Sequence, residues 1–333
     1  MMHGDHRTPM RRRRSAWPLV LVVLAVVVLV AVAAAFAWSR LGRAAPNDPP
    51  VAAQLSPTSS PAPRATPASS AAPTPSATAS PASSPSSAET ASPPPRPHIV
   101  ADPQPVPILV YHHVLAKPKG PPLLVMSVAR FRAQLAYLAA HGYQAVTLRR
   151  VYDAWTGAGK LPPKPVVVTF DDGYADQVRN AAPALREHDW PAELGLVSSA
   201  LYLGANAPST SLTPDMVRGL LDDGWGLESH SVTHADLTRL HGAKLRLQLL
   251  ESRRRLEQLF DVQVDFFCYP GGIYTRRVKL AVRHAGYLAA TGTRYGAATP
   301  RDLFSLPRIY CYRGETMADF GARLRSTLAA AGG

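Results

Sequence analysis

Residues 166–173 read Val-Val-Val-Thr-Phe-Asp-Asp-Gly, an apolar run that ends in two adjacent carboxylates and a glycine. Three β-branched residues in succession predict a buried strand, and the glycine ends it. Successive side chains of a strand point to opposite faces, so one of Asp171 and Asp172 faces inward and requires a cationic partner. The stretch therefore predicts a buried strand that carries an acidic site at its C-terminal end.

A pair of histidines lies downstream, in the sequence Glu-Ser-His-Ser-Val-Thr-His of residues 228–234. His230 and His234 can face one point from a single turn or a tight loop. One aspartate and two histidines leave a divalent metal with open positions for water and substrate, as in catalytic rather than structural sites. The alternatives are a helix-capping pair of acids and a loop with polar surface histidines.

Strand and helix patterns alternate through the C-terminal two thirds of the chain. Repeated strand–helix units indicate an α/β fold with a parallel sheet, open or closed into a barrel, and the number of strands favours a (β/α) barrel. The active site is then expected at the C-terminal ends of the strands, where both the acidic and the histidine motifs fall. The expected strands are 106–111, 144–148, 165–170, 192–197, 226–229, 265–269, 287–291 and 304–310.

The N-terminal region predicts a membrane anchor. Four arginines at 11–14 precede an apolar run at about 16–38, and residues 19–37 carry no polar side chain. At about 1.5 Å per residue, that stretch spans roughly 30 Å, the thickness of a bilayer core. We expect residues 1–15 to form a cytoplasmic basic tail and 16–38 a transmembrane signal-anchor. The alternative is a cleaved signal peptide, which would make the protein secreted.

Pro, Ser, Ala and Thr make up most of residues 39–106, and eighteen of the 33 prolines lie between 44 and 107. Such a segment cannot bury a core, so we expect a disordered linker that tethers an extracytoplasmic domain, residues 107–333, to the cytoplasmic membrane. The net charge of +13 raises the possibility of nucleic-acid binding. No basic-aromatic RNA motif or recognition-helix pattern accompanies it, so no nucleic-acid partner is expected. The oligomeric state stays open.

The two motifs in this order, Thr-Phe-Asp-Asp-Gly at 169–173 and His-Ser-Val-Thr-His at 230–234, resemble those of polysaccharide deacetylases of carbohydrate esterase family 4, the NodB-homology domain. The resemblance covers about residues 107–320. It implies a deformed or incomplete (β/α) barrel, a divalent metal of the zinc type with Co²⁺, Ni²⁺ or Mn²⁺ as alternatives, and removal of N-acetyl groups from N-acetylglucosamine polymers. It also implies that Asp171 is the catalytic base. The implied metal ligands are Asp172, His230 and His234.

A third family motif, Arg-x-Pro-Tyr in many members, is altered here to Cys-Tyr-Pro-Gly at residues 268–271. The resemblance implies that the backbone N–H of Gly271 binds the oxyanion and that Tyr269 and Pro270 contact substrate. Cys268 stands where the family carries arginine, so another cation must orient Asp171. We expect Arg308 to take that role, with a surface arginine as the alternative.

The late Leu-x-His motif of the family is missing, and no histidine follows His284. The sequence Tyr-His-His-Val at 111–114 resembles instead the branch that deacetylates poly-N-acetylglucosamine, where a histidine on the first strand is the general acid. His112 matches that position better than His113. The alternative for either residue is a buried structural histidine.

These features together predict a membrane-tethered, metal-dependent polysaccharide N-deacetylase acting on exopolysaccharide or peptidoglycan. Two other functions remain open: a non-catalytic carbohydrate-binding module on the same fold, and an O-acetyl esterase with the same machinery. Retention of both Asp171 and Asp172 argues against the binding module. Whether Cys268 and Cys311 form a disulfide also stays open, since both lie in a domain expected to be exported.

Overall fold

The computed structural model describes residue 95 and residues 97–201 and 210–332. The predicted basic tail, the predicted transmembrane segment and residues 39–94 of the predicted linker lie outside these ranges. Within them, no helix is both long enough and apolar enough to cross a membrane.

The strands of the described residues form one large parallel sheet and one small pair. The large sheet pairs in the order β1-β10-β9-β8-β7-β6-β5, and β1 also pairs with β5, so the sheet curls back on itself. β4 pairs with the beginning of β5, and β2 pairs with β3. The bounds are β1 (Ile108–Tyr111), β2 (His113–Leu115), β3 (Val125–Ser127), β4 (Gln144–Ala145), β5 (Pro165–Asp171), β6 (Glu193–Leu196), β7 (Gly226–Ser229), β8 (Phe266–Cys268), β9 (Ala289–Tyr295) and β10 (Leu306–Tyr310).

Helices connect the strands of the curled sheet, as expected for a deformed (β/α) barrel. The side chains of Ser127, Thr213 and Thr275 accept hydrogen bonds from backbone N–H groups in the first turns of their helices, and these caps fix where the helices begin. The bounds are α1 (Val128–Ala140), α2 (Leu148–Trp155), α3 (Ala182–Arg186), α4 (Pro214–Asp222), α5 (Gly242–Arg246), α6 (Ser252–Phe260), α7 (Arg276–His284) and α8 (Met317–Gly332).

The structure differs from the expected strand at 144–148. Strand β4 ends at Ala145, and the Thr147 side chain caps α2, which the sequence analysis did not predict. Leu148, Val151 and Trp155 have helical spacing and are buried on one face of α2. Strands β2 and β3 were also not expected, because each has only three residues.

Alternate side chains of β5 face two different cores. Val168 and Phe170 pack outward against the helices, whereas Val167 belongs to a second apolar cluster with Ile108 and Leu306. The alternation places Asp171 on the same face as Val167. The apolar cluster therefore fills the beginning of the barrel and leaves its C-terminal end for polar groups.

The last ten residues of the predicted linker contact the domain. The Val100 N–H donates to the Trp155 carbonyl at 2.9 Å, and the Trp155 indole donates to the Gln104 carbonyl at 2.8 Å. Val106 is fully buried and pairs with Ala298. Residues 97–106 therefore lie against α2 and the barrel.

Candidate active site

Asp171 ends β5 inside the barrel, where it meets a buried arginine of β10. The Arg308 guanidinium donates from Nη1 to Oδ1 and from Nη2 to Oδ2 of Asp171, each at 2.8 Å. Burial raises the pKa of Asp171, but the charge and hydrogen bonds of Arg308 outweigh it and hold that pKa well below its ordinary value. Arg308 is 1% exposed, so the alternative of a surface arginine is wrong.

Asp172 follows directly but turns away from the barrel interior. Its φ of 73° lies in the left-handed region, which non-glycine residues rarely adopt. Its Oδ1 lies 3.5 Å from Nε2 of His230 and 3.5 Å from Nε2 of His234. The backbone conformation therefore aims two adjacent carboxylates at different partners.

The two histidines are held by the loop that follows β7. Nδ1 of His230 lies 2.8 Å from the Cys268 carbonyl, so Nδ1 carries a proton and Nε2 is the ring nitrogen that faces Asp172. Ser231 and His234 have φ values of 67° and 57°, and the Ser231 hydroxyl accepts the His234 N–H at 2.9 Å. Unusual backbone conformations of this kind concentrate at functional sites.

Asp172, His230 and His234 fit a divalent metal. One ligand atom from each residue lies within 4.8 Å of the others. Two imidazole nitrogens and one carboxylate oxygen suit zinc and also other transition metals, and three protein ligands leave positions open. The carbonyl that fixes the His230 ring is the outer support that metal-binding histidines usually have. A second group, Asp171 with His230 and Cys268, is less suitable because Arg308 occupies the Asp171 carboxylate.

The two histidines after β1 have different surroundings. Nε2 of His112 lies 3.9 Å from Oδ2 of Asp171, and burial lowers the pKa of His112 below its ordinary value. Its Nδ1 is buried and has no hydrogen-bond partner in the described part of the chain. His113 instead places Nδ1 2.7 Å from Oδ2 of Asp176. The structure thus brings His112, and not His113, against Asp171.

The segment after β8 carries the predicted oxyanion donor and two predicted substrate contacts. Gly271 is exposed in a tight turn with φ of 62°, which glycine adopts freely. Tyr269 is fully buried and its hydroxyl donates to the Phe304 carbonyl at 3.0 Å, and Pro270 is also buried. Both side chains therefore pack inside the domain, and substrate contact by Tyr269 and Pro270 stays a prediction.

Cys268 and Cys311 are both buried free thiols, so the disulfide left open by the sequence is not formed. Cys268 lies beside Asp171 and His230. The arginine of the common family motif is thus replaced by a small side chain, and Arg308 reaches Asp171 from β10.

A cleft of about 290 Å³ opens at the site, and its lining includes His112, Asp172 and Tyr174.

Two residues of the site were not predicted from the sequence. The Tyr174 hydroxyl donates to Oδ2 of Asp172 at 3.0 Å, and Oε1 of Gln248 accepts the Val232 N–H at 3.0 Å. The position of Tyr174 directly after Asp-Asp-Gly is a sequence feature that could have identified it as a site residue. No local pattern marks Gln248, which lies in the helical segment before α6.

Comparisons with known proteins agree with this geometry. A family model described as polysaccharide deacetylase matches residues 158–290. The Bacillus subtilis protein YxkH, named as a polysaccharide deacetylase, is 27% identical over 225 residues, which are 67% of this chain and 77% of that protein. The poly-beta-1,6-N-acetyl-D-glucosamine N-deacetylase of Escherichia coli K12 is 34% identical over 89 residues, which are 27% of this chain and 13% of that protein.

The fold also matches solved structures. The Streptococcus pyogenes deacetylase PplD, in complex with acetate, superposes with a TM-score of 0.61 at 23% identity, over 68% of this chain and 99% of that one. The chain therefore carries a domain of the polysaccharide deacetylase family, whose members are hydrolases that act on carbon–nitrogen bonds. The family predicted from the two motifs is confirmed.

Proposed function

We propose that this protein is a metal-dependent polysaccharide N-deacetylase that hydrolyses acetamide groups of an N-acetylglucosamine polymer outside the cytoplasmic membrane. One observation carries the proposal: two adjacent carboxylates have separate partners. Asp171 is bound at 2.8 Å by Arg308, whereas Asp172 is grouped with two imidazoles. Amide hydrolysis needs this separation, because the proton acceptor and the metal ligand are different groups.

Asp172, His230 and His234 would hold a divalent metal, which would supply a Lewis acid that polarises the amide carbonyl and makes water more acidic. Asp171, kept ionised by Arg308, accepts a proton from water. His112, whose Nε2 is 3.9 Å from Asp171, donates a proton to the departing amine. Burial lowers the pKa of His112, whereas the charges of Asp171 and Asp172 act to raise that pKa and so favour the protonated form that donates. The Gly271 N–H donates to the oxygen that develops negative charge.

The proposed location of the domain outside the cytoplasmic membrane rests on the sequence alone. The apolar run at 16–38 and the Pro-rich segment at 39–106 support a domain held outside the cell by a single membrane-spanning anchor. As a flexible coil, residues 39–96 would span roughly 40 Å, and as an extended polyproline helix about 180 Å. That reach fits a polymer in or beyond the cell wall.

The substrate is best supported as poly-β-1,6-N-acetylglucosamine. His112 stands where the branch acting on that polymer has its acid, and 89 residues are 34% identical to the Escherichia coli enzyme named for it. The cleft lined by His112 and Asp172 adjoins the proposed catalytic residues. Peptidoglycan is the competing N-acetylated substrate.

Acetate release tests the proposal. The purified full chain, loaded with Zn²⁺, is incubated with β-1,6-linked N-acetylglucosamine oligomers, with peptidoglycan and with an O-acetylated polysaccharide. His230→Ala serves as the metal-site control. We expect fastest release from the β-1,6 oligomers and none from the control. Release from the O-acetylated polymer alone would assign an esterase, and binding of oligomers without any release would assign a binding module.

A further inference from the structure

Tyr174 contacts the Asp172 oxygen that is not nearest to the histidines. Its hydroxyl donates to Oδ2 of Asp172 at 3.0 Å, while Oδ1 lies 3.5 Å from Nε2 of both His230 and His234. A carboxylate offers two equivalent oxygens and rotates readily about its last torsion. The Tyr174 hydrogen bond removes that freedom, because it assigns one oxygen to the tyrosine and leaves the other for the histidines.

Tyr174 is itself held in place by His113. The two rings stack with centroids 3.5 Å apart at an interplanar angle of 24°. Nδ1 of His113 lies 2.7 Å from Oδ2 of Asp176, and Oδ1 of Asp176 accepts the Val114 N–H at 2.6 Å. Asp176 is only 9% exposed, so this support is largely shielded from water.

The contacts form a continuous series from the β1–β2 junction to the metal site. Asp176 fixes the His113 ring, the ring fixes the plane of Tyr174, and the Tyr174 hydroxyl fixes Asp172. The backbone supports the same arrangement, since Tyr174 forms an isolated bridge with Ser211. This series also accounts for the second histidine of the His-His pair, which the proposed reaction does not use.

We propose that Tyr174 is a positioning residue that orients Asp172 as a one-oxygen metal ligand, and that His113 and Asp176 hold Tyr174 in that orientation. The inference rests on the proposed metal site. It assigns no reacting atom to Tyr174 or His113. Groups that support a metal ligand typically change metal affinity by about 10–100-fold when they are removed.

The test is Zn²⁺ affinity, measured by competition with a chelator of known affinity on the full chain. Tyr174→Phe keeps the ring and its stacking but deletes the hydroxyl, and we expect Zn²⁺ to bind about 10–100-fold more weakly. His113→Ala should give a smaller loss, because the hydroxyl stays while its orientation loosens. Tyr295→Phe is the matched control, since its hydroxyl contacts Thr327 away from the site.

A second readout is the visible absorption spectrum of the Co²⁺-substituted protein, which reports ligand geometry. We expect Tyr174→Phe to shift the Co²⁺ bands and Tyr295→Phe to leave them unchanged, with thermal unfolding of both variants checked first. Wild-type Zn²⁺ affinity and an unchanged Co²⁺ spectrum in Tyr174→Phe would overturn the positioning role. His230→Ala separates the two proposals: if it also binds Zn²⁺ like the wild type, the metal site itself is refuted, and with it the proposed function.

Discussion

Asp171 and Asp172 show how neighbouring residues of one type acquire different chemistry. The alternation of β5 turns Asp171 inward to Arg308, and the positive φ of Asp172 turns the next carboxylate toward two imidazoles. The ion pair of Asp171 and Arg308 is almost entirely shielded from water. Removing one partner of such a pair leaves the other charge buried without compensation, which costs more than the pair itself contributes.

Arg308→Met should therefore lower the free energy of unfolding by about 3–5 kcal/mol, measured by urea denaturation. The double variant Asp171→Asn/Arg308→Met should be less destabilised than the sum of the single variants, because neither charge is then left alone. Arg325→Met, which removes an exposed arginine, is the control and should change stability little. Strictly additive effects of the two buried substitutions would show that the ion pair is not coupled.

His112→Ala should retain bound Zn²⁺ and lose about 10²–10⁴-fold in turnover, the usual range for removing an acid–base group. His112 is 3.9 Å from Asp171, whereas His113 is bound to Asp176. At saturating Zn²⁺, His113→Ala should therefore lose much less turnover. Acetate release at saturating substrate measures both. A larger loss in His113→Ala would move the general acid to the other histidine.

The loop after β7 depends on a neighbouring helical segment for its shape. Gln248, 8% exposed, accepts the N–H groups of Val232 and Thr233 at 3.0 and 3.1 Å. These two residues lie between His230 and His234. The segment before α6 thus acts on the histidine loop through one amide side chain.

Gln248→Ala should lower the free energy of unfolding by about 1–3 kcal/mol, because a buried N–H loses its acceptor. It should also weaken Zn²⁺ binding by about 10-fold, since the histidine loop loosens. Gln258→Ala is the matched control, because that glutamine is exposed on α6 and accepts a hydrogen bond from Arg254. Chelator competition and urea denaturation measure the two effects. A stability loss without any change in Zn²⁺ affinity would limit Gln248 to a structural role.

The interior of the domain carries acidic residues beyond the site. Glu193 on β6 is 1% exposed and accepts the Leu148 N–H at 2.6 Å. Burial raises the pKa of Glu193 well above its ordinary value, and the nearby Glu228 raises it further. In the unfolded chain Glu193 ionises near pH 4.5. Its contribution to stability is therefore present below that pH and is lost as the pH rises toward the folded-state pKa.

Glu193→Gln should remove this pH-dependent loss. The stability of the variant relative to the wild type should increase between pH 4 and pH 8, by about 1.4 kcal/mol for each unit by which folding raises the pKa. Glu187→Gln, at an exposed carboxylate paired with Arg132, should show no such trend. Urea denaturation across the pH range measures the difference. A constant difference at all pH values would contradict a raised pKa for Glu193.

Local sequence patterns predict strands in this protein because strand formation depends on residues that are close together in the chain. The β-branched run of β5 correctly indicated a buried strand. The ion pair of Asp171 with Arg308 joins residues 137 positions apart, so only the resemblance to a family suggested it. The burial of Tyr269 was missed because it depends on packing against distant residues.

The central claim is that Asp171 is the catalytic base and Asp172 is a metal ligand. The most direct test measures Zn²⁺ content and acetate release in the same samples of wild type, Asp171→Asn and Asp172→Asn, each checked for folding. We expect Asp171→Asn to keep Zn²⁺ and lose turnover by about 10²-fold or more, and Asp172→Asn to lose both Zn²⁺ and turnover. Loss of Zn²⁺ in Asp171→Asn together with its retention in Asp172→Asn would contradict this division.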